Sequence, residues 1–297
     1  MKGLAQLIGP MTLRSDMGTE DTLFRHSDSQ VSTQTIELRP RMEMNCNALV
    51  NDIPACKRIN RERGLSDNTL KNFNVGLGTY HFPEQNLKCN ALYFPQFRRI
   101  VVSDSHSQCL HNNLVPVNFK VRHLIGKQFC QTPNSNGTGL FGLKRHSQVM
   151  KDKQYRYLIV TEGEFDAMAV DEATDGTFTA VSLPSGCNMP GHHILHELSN
   201  YERIILFLDW DNGGQRCAQM LYDKLKLQKS DIQVLIVKQP EQCKDYKDAN
   251  DLLKFNKSIL IVFFFFVVLH VAKLRVIDDL LASFKICTHH LSIHVIN

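Results

Sequence analysis

Apolar runs alternate with amphipathic stretches along the second half of the sequence. The apolar runs have the length of a buried strand, and in the stretches between them apolar residues recur every three or four positions, as on one face of a helix. Strands that alternate with helices in this way predict an α/β fold with a doubly wound, mostly parallel sheet. The predicted strands are 155–160, 179–183, 203–208 and 232–237, and the predicted helices are 164–173, 192–199, 215–225 and one that begins near Ala249.

The first half of the chain shows shorter and less regular patterns. Ser66 or Asp67 is expected to cap a short helix that extends to Phe73. Strand-like pieces follow it, with proline and asparagine breaks between them, and these predict a small α+β unit. The strand-like pieces are 90–97, 100–102 and 114–121.

These patterns divide the chain into four parts. The first part is polar and lacks sustained periodicity, so we expect it to be disordered or loosely ordered. The last part contains an uninterrupted apolar run, 259–269, which is shorter than the roughly 20 residues of a membrane span. We expect no membrane partner and assign the tail no function. The four parts are 1–53, the α+β subdomain 54–153, the doubly wound domain 154–257 and the tail 258–297.

Charge is distributed unevenly between the two central parts. Residues 57–153 contain 15 Lys and Arg against 5 Asp and Glu, a net charge of +10, whereas residues 154–257 contain 11 against 16, a net charge of −5. A basic module beside an acidic one suits a polyanion that is held and then acted upon. An ordinary solvated basic face is the simpler alternative.

Cysteine usage indicates a reduced, intracellular protein. The nine cysteines are an odd number and contain no Cys-x-x-Cys pair. Neither a disulfide framework nor a zinc ribbon fits that spacing.

Acidic residues follow two of the predicted strands directly. Glu162 follows the first strand, and Asp209 and Asp211 follow the third. Ligands of open α/β sheets bind beyond the carboxyl ends of the strands, so we expect these carboxylates to meet, with both aspartates on one side. Converging carboxylates repel one another unless a hard cation such as Mg²⁺ neutralises them, which predicts metal-dependent phosphate chemistry. Simpler roles stay open, because Asp-x-Asp is often a turn, and Glu164 and Asp166 suit the first turn of a helix.

Four further features follow one another along the chain. With the acidic residues and the segment from Lys247 to Leu253, they resemble the Toprim domain of primases, topoisomerases and some nucleases. The resemblance, which covers about residues 56–258, is closer to the primase half of phage-type primase-helicases and their mitochondrial relatives, the Twinkle family of replicative DNA helicases. It implies a basic, RNA-polymerase-like subdomain followed by the Toprim sheet. The four features are the helix Leu65–Phe73, the basic strand Asn118–Arg122, the turn Leu140–Gly142 and the loop Leu183–Gly186.

The resemblance also implies roles for individual residues. The implied chemistry is in-line nucleotidyl transfer, in which Mg²⁺ activates an attacking hydroxyl and neutralises the leaving pyrophosphate. Asp248 is equally suited to cap the last predicted helix. The implied metal ligands are Glu162, Asp209, Asp211 and Asp248. The implied nucleotide-phosphate or template contacts are Lys120, Arg122 and Lys127. The implied catalytic residues are Glu162, Asp209, Asp211 and Lys120.

Two features of that family are not found in this sequence. No zinc-binding cysteine module precedes the basic subdomain, and no Gly-x-x-x-x-Gly-Lys-Ser/Thr loop for ATP phosphates occurs in the chain. We therefore expect neither ATP binding nor DNA unwinding by this chain alone. The resemblance implies ring-shaped homo-oligomers, which in this family form through the helicase motor. Because the resemblance stops near Ser258, we hypothesise a truncated product or a faulty gene model.

Three functional hypotheses remain at this point. The first is the primase-like N-terminal region of a mitochondrial replicative helicase, which binds single-stranded DNA. The second is a stand-alone Mg²⁺-dependent primase or nuclease, and the third is a non-catalytic DNA-binding module. The expected location, the mitochondrial nucleoid, follows from the resemblance alone, because Asp16, Glu20 and Asp21 are atypical of a transit peptide.

Overall fold

The computed structural model of the chain describes residues 38–103, 110–133, 137–151, 157–188, 190–272 and 295–296. The helices are α1 (38–51), α2 (Ile53–Arg63), α3 (Asp67–Asn72), α4 (Leu143–Met150), α5 (Glu164–Ala173), α6 (His192–Ser199), α7 (Asn212–Gln228) and α8 (Ala249–Ala272), with a 3-10 turn at Glu241–Cys243. The strands are β1 (Gly76–Phe82), β2 (Leu87–Ser103), β3 (Leu110–His123), β4 (Phe129–Gln131), β5 (Leu140–Phe141), β6 (Tyr157–Thr161), β7 (Ala180–Ser182), β8 (Arg203–Phe207), β9 (Gln233–Val237) and β10 (Val295–Ile296).

The described strands form one mixed sheet in the order β10-β9-β8-β6-β7-β5-β2-β3-β4, with β1 paired to β2. Strands β9, β8, β6 and β7 are parallel neighbours. This confirms the predicted α/β fold with a doubly wound, mostly parallel sheet. The strands of the first half pair antiparallel, as in the predicted α+β part.

Alternate residues of the central strands face two apolar clusters, one on each side of the sheet. In β6, Tyr157 and Ile159 belong to one cluster, and Leu158 and Val160 belong to the other. Helices α2, α3, α5 and α8 contribute to the first cluster, and α6 and α7 contribute to the second. A strand that is buried on both faces reads as a continuous apolar run, which is why the sequence pattern identified it.

The two-residue strand β5 joins the two halves of the sheet. Phe141 pairs with Gln96 of β2 on one side and with Ser182 of β7 on the other. The Phe141 ring is buried against Phe94 and Phe73, with centroids 5.5 and 5.4 Å away. One sheet therefore continues across the boundary predicted near residue 153, and backbone pairing fixes the first half relative to the second.

The break predicted between the strand pieces 90–97 and 100–102 is wrong, because both lie in the continuous strand β2, whereas the piece 114–121 is confirmed as part of β3. The register between β2 and β3 shifts at Gln96 and Phe97, and Pro116 pairs with Phe97 beside that shift. The ladder is already irregular there, so the N–H that proline lacks falls at a β-bulge. Pro116 thus lies beside a bulge in this hairpin and does not interrupt β3.

The expectation for residues 1–53 needs correction from residue 38 onward, whereas residues 1–37 lie outside the described residues. Residues 38–51 form α1, in which Met42 and Leu49 are 6% and 1% exposed and belong to the core. Asn45 is also buried and interrupts the apolar stripe between them. A helix face with one buried amide and few apolar residues has weak periodicity, so the pattern was not recognised.

Helix α8 crosses the boundary predicted at residues 257 and 258. Its backbone is kinked at Asn256, whose side chain accepts a hydrogen bond from the backbone N–H of Ile259 at 3.1 Å. Leu260 beyond the kink is fully buried. Residues 273–294 and 297 lie outside the described residues, so the division at this boundary stays a prediction. No helix in the described part of the chain is long and apolar enough to cross a membrane.

Glu172 of α5 connects the doubly wound part to the start of α3. Ser66 caps α3, as one of the two sequence alternatives predicted. The Glu172 carboxylate accepts hydrogen bonds from the Ser66 N–H at 2.9 Å, the Ser66 hydroxyl at 2.7 Å and the Thr69 hydroxyl at 2.6 Å. Burial raises the pKa of Glu172, but the bonds from Thr69 and Ser66 outweigh burial and hold its pKa below the usual value.

Replacement of Glu172 by glutamine tests this connection. Hydrogen bonds to a charged group contribute about 1.5–3 kcal/mol, so we expect Glu172→Gln to lower the free energy of unfolding by roughly that amount near neutral pH. A carboxylate whose folded-state pKa is lowered stabilises the fold above its unfolded-state pKa and loses that contribution as pH falls through its folded-state pKa. The difference from wild type should therefore shrink on acidification.

Urea denaturation of both proteins at neutral and acidic pH measures the effect. Glu241→Gln is the matched control, because the Glu241 side chain is 88% exposed and lies 3.9 Å from Lys244. We expect that control to match wild type within about 0.5 kcal/mol. An equal loss of stability for Glu172→Gln at every pH would contradict the assigned charge effect.

Candidate functional site

Three carboxylates meet at the carboxyl ends of the parallel strands. Asp166 lies in the first turn of α5, Asp209 follows β8, and Asp248 precedes α8. One oxygen from each lies within 4.8 Å of the others. This is the arrangement expected of a metal site, and we call these three residues the acid cluster.

Backbone hydrogen bonds hold the acid cluster together from three distant parts of the sequence. The N–H of Trp210 donates to the carbonyl of Lys247 at 2.7 Å, which joins the loop of Asp209 to the loop of Asp248. The N–H of Asn250 donates to Asp166 Oδ1 at 2.9 Å, which joins α8 to α5. The cluster therefore depends on contacts between loops and not on any single element.

Two glycines leave the space that the cluster needs. A Cβ at Gly163 would lie 2.7 Å from Asp166 Oδ2, and a Cβ at Gly214 would lie 2.3 Å from the carbonyl oxygen of Asp209. Both distances are shorter than real Cβ contacts. The glycines that follow each predicted strand thus allow the acidic loops to pack closely.

Burial and neighbouring negative charges disfavour the charged forms of Asp166 and Asp209. Burial, followed by the charge of Glu162, raises the pKa of Asp209 to about 7. Burial, followed by the charges of Asp248 and Asp209, raises the pKa of Asp166 well above its ordinary value. Carboxylates in this state gain most from a neighbouring cation.

Lys247 supplies a partial counter-charge from the protein itself. Its Nζ lies 2.7 Å from Asp248 and 3.6 Å from Asp209, while its side chain is 62% exposed. Burial lowers the pKa of Lys247, but its bond with Asp248 and the attraction of the carboxylates raise it above its usual value. An ammonium group already sits where positive charge is favourable, and three carboxylate oxygens are donors that fit a hard divalent cation.

The predicted acidic residues take three different positions. Glu162 lines the same cavity as the acid cluster without belonging to it, and it accepts a hydrogen bond from the Cys187 thiol at 3.0 Å. Asp211 is exposed and caps α7, accepting from the Gly214 N–H at 2.8 Å. Asp248 accepts from the Asp251 N–H at 2.8 Å, so it caps α8 while its other oxygen faces Lys247.

Two of these positions differ from the sequence interpretation. Asp209 and Asp211 do not point to one side, because β8 ends at Phe207 and the chain turns into α7 beyond it. Asp166 belongs to the cluster although the sequence interpretation left it as a helix-end residue. The available signal was its position three residues after Gly163, where the first turn of a helix faces the end of the preceding strand.

A basic wall faces the acid cluster. Lys120 and Arg122 lie on β3, Lys127 lies in the loop before β4, and Arg63 ends α2. Lys120 Nζ forms an ion pair with Glu164 at 2.9 Å. Sequence reasoning missed Arg63 because α2, with few apolar residues, was not predicted.

Arg63 and Arg122 share one aromatic neighbour. Their guanidinium carbons lie 4.3 and 5.5 Å from the centre of the Phe165 ring. Burial, followed by the charge of Arg63, lowers the pKa of Arg122. Arg63 donates a hydrogen bond to Asn250 at 3.4 Å, and the charge of Glu164 acts on Arg122. Neither arginine forms an ion pair among the described residues, so both can contact a bound anion.

Both groups line a single open cavity of about 640 Å³. The basic wall comes from the antiparallel half of the sheet and the acid cluster from the parallel half. A polyanion that enters this cavity meets guanidinium and ammonium groups on one side and a metal-competent cluster on the other. The geometry suits the positioning of phosphates near a divalent cation.

Comparisons with known proteins agree with this fold. Residues 159–253 match a family model described as Toprim-like. A search of curated proteins found no match.

Solved primase structures are similar to the chain in fold. The zinc-binding and RNA polymerase domains of Aquifex aeolicus primase match with a TM-score of 0.55 and 16% identity over 79% of this chain and 60% of that one. A DnaG primase catalytic domain bound to single-stranded DNA matches with a TM-score of 0.54 and 16% identity over 78% and 79%. The RNA polymerase domain of Mycobacterium tuberculosis DnaG, in complex with double-stranded DNA, matches with a TM-score of 0.50 and 20% identity over 82% and 80%.

These findings establish a Toprim fold in a chain whose overall fold is similar to that of primase structures. The family match covers the parallel half of the sheet, and the structural matches extend over the basic half as well. The fold implied by the sequence resemblance is therefore confirmed.

The acid cluster generates a prediction about metal binding. Mg²⁺ should raise the melting temperature of the wild type, since a ligand at about 100 times its Kd stabilises the folded state by about 2.7 kcal/mol. Asp166→Asn should abolish that increase. The variant should also unfold at a higher temperature than wild type without metal, because one of three repelling charges is gone.

Asp211→Asn is the matched control for this thermal unfolding experiment. Asparagine caps helices as well as aspartate does, so α7 should be unaffected and the response to Mg²⁺ retained. An Mg²⁺-dependent increase in Asp166→Asn equal to that of wild type would place the metal elsewhere.

Proposed function

We propose that this chain is a primase-like module that holds single-stranded DNA against a divalent-metal site. The observation that carries the proposal is the single cavity in which Arg63, Arg122 and Lys127 face the acid cluster. A basic surface alone would suit any polyanion, and an acid cluster alone would suit any divalent cation. Their position on opposite sides of one cavity suits a nucleic-acid backbone that lies along the first and reaches the second.

Single-stranded DNA fits this cavity by its charge and its flexibility. Proteins that bind single strands without sequence preference use a positively charged groove along the phosphates, and their affinity falls steeply with salt. The basic wall supplies such a groove, in which Lys120 is already paired with Glu164 and the two arginines are available. The similar DnaG structure that contains single-stranded DNA supports the same partner for this fold.

The resident cation that we propose is Mg²⁺, held by Asp166, Asp209 and Asp248. In the catalytic candidate described below, the bound ion would stabilise the negative charge of an attacking hydroxyl and of a leaving pyrophosphate. Lys120 and Arg122 would orient the phosphates of the nucleotide, and Glu162 lies at the edge of the same cavity beside Asp209. The close approach that Gly163 and Gly214 allow keeps the three carboxylates in position.

We further propose that the chain serves mitochondrial DNA replication as the primase-like region of a Twinkle-type helicase. The support is the order of sequence features shared with that family, together with the Toprim-like match at residues 159–253. Unwinding and ring assembly in that family depend on the helicase motor. Sequencing of the transcript tests the proposal, since we expect a message that continues into an ATPase domain, and a stop after Asn297 in every transcript would contradict it.

A Mg²⁺-dependent primase or nuclease is the second candidate. The observation that favours it is the acid cluster itself, which a module that only binds DNA does not require. The two candidates share the cavity and differ in whether phosphate bonds are made or broken there.

Salt-dependent binding tests the proposed DNA-binding function. We expect the affinity for a single-stranded oligonucleotide to fall steeply between about 50 and 200 mM salt. Arg122→Gln and Lys127→Ala should each weaken binding by about tenfold and lower the slope of log K against log salt by about 0.7, the value for one lost phosphate contact on a single strand.

The control for that titration is Arg216→Ala. Arg216 is an exposed arginine of α7 that does not line the cavity. Fluorescence anisotropy should give the same affinity for this variant as for wild type. Binding by the wild type that is absent, or that does not change with salt, would disprove the proposal.

Primer synthesis distinguishes the two candidates. With Mg²⁺ or Mn²⁺, a single-stranded template and ribonucleotides, the second candidate predicts short products or cleavage of the template. Asp209→Asn should abolish them while the variant still binds DNA and remains folded. If the wild type forms no product under these conditions, the second candidate is wrong and the binding module remains.

A further inference from the structure

Phe129 is an exposed aromatic residue inside the basic wall. Its side chain is 61% exposed, although it begins β4 and lines the large cavity beside Lys120 and Arg122. Single exposed apolar residues are common on protein surfaces, so exposure alone indicates nothing. Phe129 differs from such residues because it lies among the groups that would contact bound phosphates in the proposed function.

The surrounding strands hold the ring next to the positive charges. Phe129 pairs with Arg122 in the antiparallel register of β3 and β4. Lys120 Nζ lies over the ring, 5.1 Å from its centre, and is anchored on the other side by its ion pair with Glu164. One face of the ring is thus covered by an ammonium group, and much of the remainder contacts solvent.

Two hydrogen bonds of Gln131 hold β4 in place, one to the parallel half of the sheet and one to β3. Gln131 Nε2 donates to the carbonyl of Pro184 at 2.7 Å, and Asn118 Nδ2 donates to Gln131 Oε1 at 2.7 Å. The strand that carries the ring is therefore tied to the loop that borders the acid cluster. An aromatic ring on a fixed strand loses little conformational freedom when a flat ligand stacks on it.

We propose that Phe129 is a stacking platform for one nucleobase of the single strand held in the cavity. Base stacking on aromatic side chains tolerates all sequences because every base has a π-face, and the flanking phosphates meet Lys127 and the arginines. The nearby polar pair, His123 and Gln128, is engaged with itself through a contact of 3.1 Å. Stacking on a π-face that every base offers predicts binding with little sequence preference.

This inference rests on the proposed function and adds the way in which bases, as opposed to phosphates, are held. Two oligonucleotides of equal length separate the two contributions. One is oligo-dT, and the other is an abasic strand with the same phosphate backbone. Phe129→Ala should weaken binding of oligo-dT by about tenfold and leave binding of the abasic strand unchanged, with the same salt slope for both.

Phe129→Trp gives a direct signal of stacking. The chain contains one tryptophan, Trp210, which is buried, so the wild type reports the background fluorescence. Oligo-dT should quench the new tryptophan and the abasic strand should not, while affinity for oligo-dT stays at or above the wild-type value. Phe255→Ala is the matched control, since Phe255 is 66% exposed and does not line the cavity.

The outcomes separate failure of this inference from failure of the proposed function. The stacking role is overturned if Phe129→Ala binds oligo-dT as tightly as wild type does, or if it loses affinity equally for oligo-dT and the abasic strand. The salt-dependent binding of the proposed function would still stand in either case. If the wild-type protein binds neither strand, the proposed function and the stacking role are both wrong. The assignment would also be overturned if Phe255→Ala weakened the binding of oligo-dT as much as Phe129→Ala does.

Discussion

Repulsion among three clustered carboxylates, two of them buried, is the interaction on which the rest of this site depends. Asp166, Asp209 and Asp248 bring like charges within 4.8 Å of one another, and burial strengthens their repulsion. The fold offsets this cost by backbone hydrogen bonds between the loops, by close packing at two glycines and by the ammonium group of Lys247. Because these interactions hold repelling carboxylates close together, a bound cation would stabilise the arrangement by neutralising their charge.

The continuous sheet sets the distance between the acid cluster and the basic wall. Phe141 of β5 pairs with both halves, and Gln131 of β4 bonds to the loop that borders the cluster. The two halves could otherwise move independently, as units connected only by a loop often do. Pairing through the backbone makes the cavity a fixed feature of the fold, so phosphates held on one side have a defined position relative to the other.

Charge within the cavity is distributed unequally among the basic residues. Lys120 forms an ion pair with Glu164 and contacts the Phe129 ring, and these two contacts hold its ammonium group in place. Arg63 and Arg122 share the ring of Phe165 and have no carboxylate partner among the described residues. The two neighbouring arginines repel each other, and a bound phosphate would relieve that repulsion as a cation relieves the acid cluster. The two walls are thus complementary to the two components of a nucleotide–metal complex.

The sequence by itself determined the parallel strands, their helices and the acidic character of the strand ends, because buried strands and amphipathic helices leave a local periodicity. The acidic strand ends indicated Asp209, and the family resemblance implied Asp248, Lys120 and Arg122; the structure places all four around one cavity. Only the tertiary structure decided that Asp166 joins the cluster while Asp211 caps a helix, and that Arg63 reaches the cavity from α2. These assignments depend on hydrogen bonds and packing between segments that are far apart in the chain. Local periodicity in the sequence carries no information about such contacts.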